Sequence, residues 1–97
     1  MVREMEIEYS AHIINRMLLR KIEHDLPKRI VIESNERYFD SETGYSIATM
    51  VVEMYNKNRE VMVAYILEGN VTKLLTIHPL KQGQKENRIK AGRWRKI

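Results

Sequence analysis

Histidines and arginines are the residues of this 97-residue chain best suited to chemistry. His78 can gain and lose a proton near neutral pH, and it closes an apolar run, Val71 to His78, that a strand would aim at a phosphate. Arg88 carries the planar guanidinium fork that holds a phosphate through paired hydrogen bonds, a contact worth about 2 kcal/mol when the charge is desolvated. His12, Arg16 and Arg20 recur at four-residue steps and so share one stripe of a helix. That stripe is either a phosphate-binding line or a polar lock between its helix and the C-terminal segment. His12 also falls near a helix start, where backbone N–H groups favour anions, and a neutral imidazole there can act as a base. Each residue has a structural alternative. His78 can cap its strand by bonding Asn87 or a backbone carbonyl, and Arg88 can lie solvated on a helix or pair with a carboxylate of the sheet.

The charge is unevenly placed. Of 17 Lys/Arg and 13 Asp/Glu, residues 81–97 hold seven of the bases and only Glu86 of the acids, a net +6, whereas residues 1–80 carry a net −2. A basic block of this kind attracts polyanions, and nucleic acid is the commonest partner. Lys81, Lys85, Lys90, Arg93 and Arg95 then serve as general phosphate contacts that read no sequence. Trp94 either stacks on an unpaired base or anchors the segment in the core. There is no cysteine, so neither a disulfide framework nor a thiolate zinc site is possible and a reducing compartment is expected. No metal site, Gly-rich phosphate loop or cofactor motif is legible. Met1 to Ser10 carry Glu4, Glu6 and Glu8 and lack the apolar stretch of a signal peptide, and no apolar run approaches the roughly 20 residues that span a bilayer. A cytoplasmic protein with no membrane contact is the expectation.

The elements that must position these residues follow from periodicity. Apolar residues are 43% of the chain and Gly and Pro occupy only six positions, the balance of one folded domain over residues 1–97. Glu6 to Tyr9 reads as a short strand, and Ser10 as the N-cap of a helix whose Ile13, Ile14, Met17, Leu18 and Ile22 form an apolar face. Asp25 and Pro27 open a second helix that ends near Ser34 and Asn35. Arg37–Asp40, Tyr45–Tyr55, Glu60–Glu68 and Val71–His78 read as strands, with turns at Ser41–Gly44, Asn56–Arg59 and Gly69–Asn70, and Pro79 as the stop. In the last strand Val71, Lys73, Leu75 and Ile77 alternate with Thr72, Leu74, Thr76 and His78. The segment from Gln82 to Trp94 is expected to be a final helix, weakened by Gly83 and Gly92 and pinned to the sheet by Ile89 and Trp94. The fold class is therefore α+β: two helices on one face of a small twisted antiparallel sheet.

The motifs Tyr9-Ser10-Ala11-His12, Arg16 and Arg20, Thr76-Ile77-His78-Pro79, Asn87-Arg88-Ile89 and Gly92-Arg93-Trp94 span almost the whole chain. In these it resembles an uncharacterised family of small bacterial and archaeal proteins allied to the BrnT and RelE type ribonuclease toxins. The resemblance implies two N-terminal helices on a small antiparallel sheet with a short basic C-terminal helix. It also implies metal-independent cleavage of RNA across the exposed concave side, with an acidic antitoxin protein as a further partner. His78 matches the working side chain at the end of the last strand, Arg88 the arginine of the following segment, and His12 and Arg16 the helical histidine and arginine. The Gly-Arg-Trp ending departs from many such toxins, and their terminal catalytic tyrosine or lysine has no clear counterpart. Cleavage of this kind needs a base for the 2′-hydroxyl, cations for the phosphorane and an acid for the departing 5′-oxygen. A non-catalytic RNA- or ribosome-binding module is the alternative, and a protein-docking surface the third reading of the basic end.

Overall fold

The computed structural model describes residues 6–97; the reading of Met1 to Met5 as part of a leaderless start lies outside the described residues. The element order is β1 (Glu6–Tyr9), α1 (Ala11–Arg20), α2 (Leu26–Glu33), β2 (Glu36–Asp40), β3 (Ser46–Met54), β4 (Lys57–Glu68), β5 (Val71–Pro79), α3 (Gln84–Lys90) and β6 (Trp94–Lys96). No helix among these residues is long and apolar enough to cross a membrane.

The expected fold class is overturned at both edges of the sheet. In place of a small antiparallel sheet there is one six-stranded mixed sheet in the order β1-β5-β4-β3-β2-β6. The chain from β2 to β5 is an antiparallel meander, but β1 lies parallel to β5. The anticipated helix from Gln82 to Trp94 stops at Lys90, and Trp94–Lys96 pairs antiparallel with β2 as a sixth strand. The arrangement is not two N-terminal helices on a sheet closed by a C-terminal helix, because a strand stands before α1 and another after α3. Pairing partners far apart in sequence decide both edges, and short-range periodicity carries no trace of them. Gly92, at φ +76°, supplies the left-handed turn that ends the last helix and sends the chain back along β2.

Two apolar clusters hold the sheet. On one face, Ile13 and Met17 of α1 and Leu26, Ile30 and Val31 of α2 pack on Ala48, Val61, Val63, Leu74 and Ile77. On the other, Tyr38, Ile47, Met62, Ala64 and Trp94 form a smaller cluster with Leu80 against it. The second face is therefore only partly open, since the segment after Pro79 folds across it.

Several local expectations shift. Ile14 and Leu18 are 42% and 73% exposed, because α1 turns only its Ile13 and Met17 side to the sheet. Ile89, expected to pin the last helix, is 41% exposed and leaves that work to Trp94. The β3–β4 turn is Tyr55-Asn56, both at positive φ (56° and 62°), a two-residue hairpin turn of the kind that matches strand twist; β4 consequently starts at Lys57. In β5 the register skips one residue, Ala64 facing Thr76 and Tyr65 facing Leu74. Leu75 is the extra residue of this bulge. Leu74 and Ile77 thus share the helix-side core, where strict alternation had put them on opposite faces.

Candidate functional site: a histidine and arginine cleft on the sheet

The bulge at Leu75 organises the site. The Ser10 hydroxyl donates to the Leu75 carbonyl at 3.0 Å and accepts from the Ile13 N–H at 3.1 Å, so the same oxygen caps α1 and ties it to β5. The Ser10 N–H adds a 3.0 Å bond to the Leu74 carbonyl. With its first turn fixed on β5 in this way, α1 brings His12 and Arg16 to the strand that carries Thr76 and His78. Together with Ser10, Leu75 and Tyr45 these residues line one cleft of about 480 Å³. The volume is within the range of small-ligand sites, about 300–1,000 Å³.

His78 lies opposite Met62 and Thr76 opposite Ala64, so both belong to the face of the smaller apolar cluster. The His78 Nδ1 is 3.2 Å from the Pro79 carbonyl oxygen. A carbonyl only accepts, so the contact is satisfied with the proton on Nδ1, which leaves the Nε2 lone pair free in the neutral ring. Burial pushes the His78 pKa below the ordinary 6.5; the Pro79 contact acts the other way, and the charges of Arg88, Arg16 and Arg20 lower it further. Three arginines from two helices therefore project their field onto one imidazole and disfavour its protonated form. The cleft also holds an unsatisfied group: the Thr76 hydroxyl oxygen is buried with no hydrogen-bond partner among the described residues.

The structure brings His12, Arg16 and His78 together and adds Arg88 through its charge. Arg88 itself lies over the Trp94 ring, 5.1 Å from its centroid, and not against a carboxylate of the sheet. Burial, and then the like charge of Arg93, lower its proton affinity. The polar lock read into His12, Arg16 and Arg20 is not formed by ion pairing: among the described residues none of these side chains pairs with a carboxylate, and the Arg20 backbone carbonyl accepts from the Tyr55 hydroxyl.

Half of the expected RNA contacts are committed to the fold. Lys85 sits between Glu60, at 2.7 Å, and Glu36, at 3.3 Å, bridging β4 and β2 from above the sheet. Its pKa is raised to about 12, because the bonds to the two carboxylates outweigh the burial that acts against its charge. Arg93 donates to both Asp40 oxygens at 3.0 and 3.1 Å and lies 3.4 Å from Glu42. Trp94 is 1% exposed, stacks on Tyr38 with ring centroids 5.5 Å apart, and donates its indole N–H to Asp40 at 3.3 Å. It is a core anchor, and no base can reach its face. Arg95 pairs with Phe39 between the Tyr38–Lys96 and Asp40–Trp94 positions, so it points to the face opposite His78. Lys81 and Lys90 are exposed and remain available to phosphates.

Sequence reasoning missed Tyr45, read as a strand residue, and the Lys85 bridge. The signal for Tyr45 was its place after the Ser41–Gly44 turn, which sets a side chain at a strand mouth. For Lys85 no local signal exists, since its partners lie 49 and 25 positions away. Compared with known proteins, the chain matches no family model, and neither a curated protein nor a solved structure is significantly similar to it.

Proposed function

We propose that this protein is an endoribonuclease that cleaves RNA by attack of the 2′-hydroxyl on the adjacent phosphate. The observation that carries the reading is the meeting of His78, His12 and Arg16 in one cleft, under the charges of Arg88 and Arg20. In this mechanism the Nε2 of neutral His78 takes the 2′-hydroxyl proton, the 2′-oxygen bonds to phosphorus, and the bond from phosphorus to the 5′-oxygen breaks. His12, on the same cleft, gives the departing 5′-oxygen its proton. Arg16 and Arg88 stabilise the charge that builds on the phosphorane. The products are a 2′,3′-cyclic phosphate and a 5′-hydroxyl, and no metal is required.

This reading retains the likeness to the ribonuclease toxins in chemistry and in partners. An acidic protein that covers the cationic cleft is the antitoxin-like partner it implies, and action on RNA implies a cytoplasmic setting. The alternative, a non-catalytic RNA-binding module held by the C-terminal cations, has less support because Lys85 and Arg93 are already paired. Incubation of the protein with RNA in excess EDTA separates the two. Cleavage with cyclic-phosphate ends, lowered about 10²- to 10⁴-fold by His78→Ala with RNA affinity kept, is the expected result. RNA left intact by high concentrations of wild-type protein, free of any partner, rejects the ribonuclease and leaves the binding module.

A further inference from the structure

The cleft has a wall that the proton-transfer chemistry does not use. Tyr45 stands at the mouth of β3, 38% exposed, and lines the same cleft as His78 and Arg16. Its backbone is tied down on both sides. The Asp40 N–H donates to the Tyr45 carbonyl at 2.8 Å and the Gly44 N–H to the Asp40 carbonyl at 2.7 Å, with Gly44 at φ +79° closing the turn. The Tyr45 N–H donates to the Thr43 hydroxyl at 3.2 Å. Asp40 is in turn clamped by the Arg93 guanidinium and the Trp94 indole, and the Ser41 N–H donates to the Arg93 carbonyl at 2.8 Å. An aromatic ring open to solvent on a backbone hydrogen-bonded in this way loses little freedom when something flat is laid against it. Tyrosine presents a flat apolar face with a polar tip, the kind of side chain enriched at interfaces.

We infer that Tyr45 is the stacking platform for one unpaired base of the RNA, which makes single-stranded RNA the substrate class of the site; this rests on the reading of the cleft as an RNA site. The arginines hold phosphate while Tyr45 holds the base, the combination by which single strands are bound without sequence preference. A duplex is excluded by the same geometry. Its bases stay stacked on each other, and the deep, narrow major groove of A-form RNA keeps them from a side chain inside a cleft.

The test uses the full chain and a short RNA carrying 2-aminopurine, with 2′-O-methyl groups throughout so that it cannot be cleaved. Stacking quenches the fluorescence of this base. Wild-type protein is expected to bind and quench. Tyr45→Ala is expected to bind about tenfold more weakly and to lose the quenching, and Tyr45→Phe to keep both. The same strand annealed to its complement is expected to compete at least about tenfold less well. Equal affinity and quenching for wild type and Tyr45→Ala, or equal binding of duplex and single strand, overturns the platform. Cleavage of the all-ribose strand is followed separately. Tyr45-dependent binding without cleavage removes the ribonuclease and keeps the platform, whereas cleavage and binding unaffected by Tyr45→Ala keep the ribonuclease and remove the platform. Absence of any binding to the single strand removes both.

Discussion

The Lys85 ammonium stands 2.7 Å from a Glu60 carboxylate oxygen, and the same nitrogen reaches Glu36 on the other side of β3. One cation of the basic segment thereby fastens α3 to two strands of the sheet. Lys85→Met is expected to destabilise the fold by about 2 kcal/mol, because it leaves two carboxylates facing each other without a counter-charge; urea denaturation measures it. The folded pKa of Lys85 lies above the ordinary 10.5, so its contribution is fully present below pH 10.5 and is lost as pH rises toward about 12. A variant as stable as wild type at pH 8 contradicts the bridge.

Asp40 is the second fastening. It is 2% exposed and accepts from Arg93, Trp94 and the Glu42 N–H. Burial raises its pKa, but the bonds from Arg93, the Glu42 N–H and Trp94, with the Arg93 charge, together outweigh burial and the net shift is downward. Asp40→Ala is expected to cost about 3 kcal/mol, since it strands a guanidinium and an indole N–H. The sign of the shift places the loss of this contribution on the acid side, as pH falls from 3.8 through the depressed value. Denaturation midpoints across pH 2 to 6, wild type against variant, should converge at the acid end.

Trp94 is the sole tryptophan and lies sealed against Tyr38. Its emission is expected to be blue-shifted and its quenching by acrylamide unchanged when RNA is added. Trp94→Ala is expected to cost about 3–5 kcal/mol, as loss of a large core aromatic does. RNA that protects the indole from acrylamide would falsify the assignment of Trp94 to the core.

In the proposed mechanism His78 sets the acid side of the pH dependence. The base form is needed, and burial holds its pKa below the ordinary 6.5, so the acid limb of kcat/KM is expected to lie below that value. Arg16→Ala removes a like charge from the neighbourhood, so the acid limb should move up toward 6.5. Nitrogen-15 NMR of the imidazole reads the same titration without substrate, and a proton found on Nε2 in the neutral form contradicts the Pro79 contact.

Among the basic residues, Lys81→Ala and Lys90→Ala are each expected to lower the slope of log affinity against log salt by about 1. Arg95→Ala should leave it unchanged, because the residue is on the other face of the sheet. Titrations of RNA at several salt concentrations check both.

What the sequence by itself determined was local. The β-branched and aromatic content of β3 and β4, the Ser10 cap, Pro27 at the start of α2 and Gly69-Asn70 between β4 and β5 were legible because each depends on neighbours a few residues away. Residue types also singled out His78, His12, Arg16 and Arg88. Tertiary structure alone decided which of them meet. A one-residue bulge at Leu75 swaps the faces of β5 and gives Ser10 the carbonyl that anchors α1, and no periodicity announces a skipped residue. The same holds at the sheet edges, where β1 and β6 pair with strands 65 and 58 positions away at Glu6–Val71 and Lys96–Tyr38. Charge counting could not separate free cations from paired ones, since Lys85 and Arg93 find their carboxylates across the fold. Which cations stay unpaired is settled by three-dimensional pairing, because Coulomb attraction depends on distance in space and is indifferent to distance along the chain.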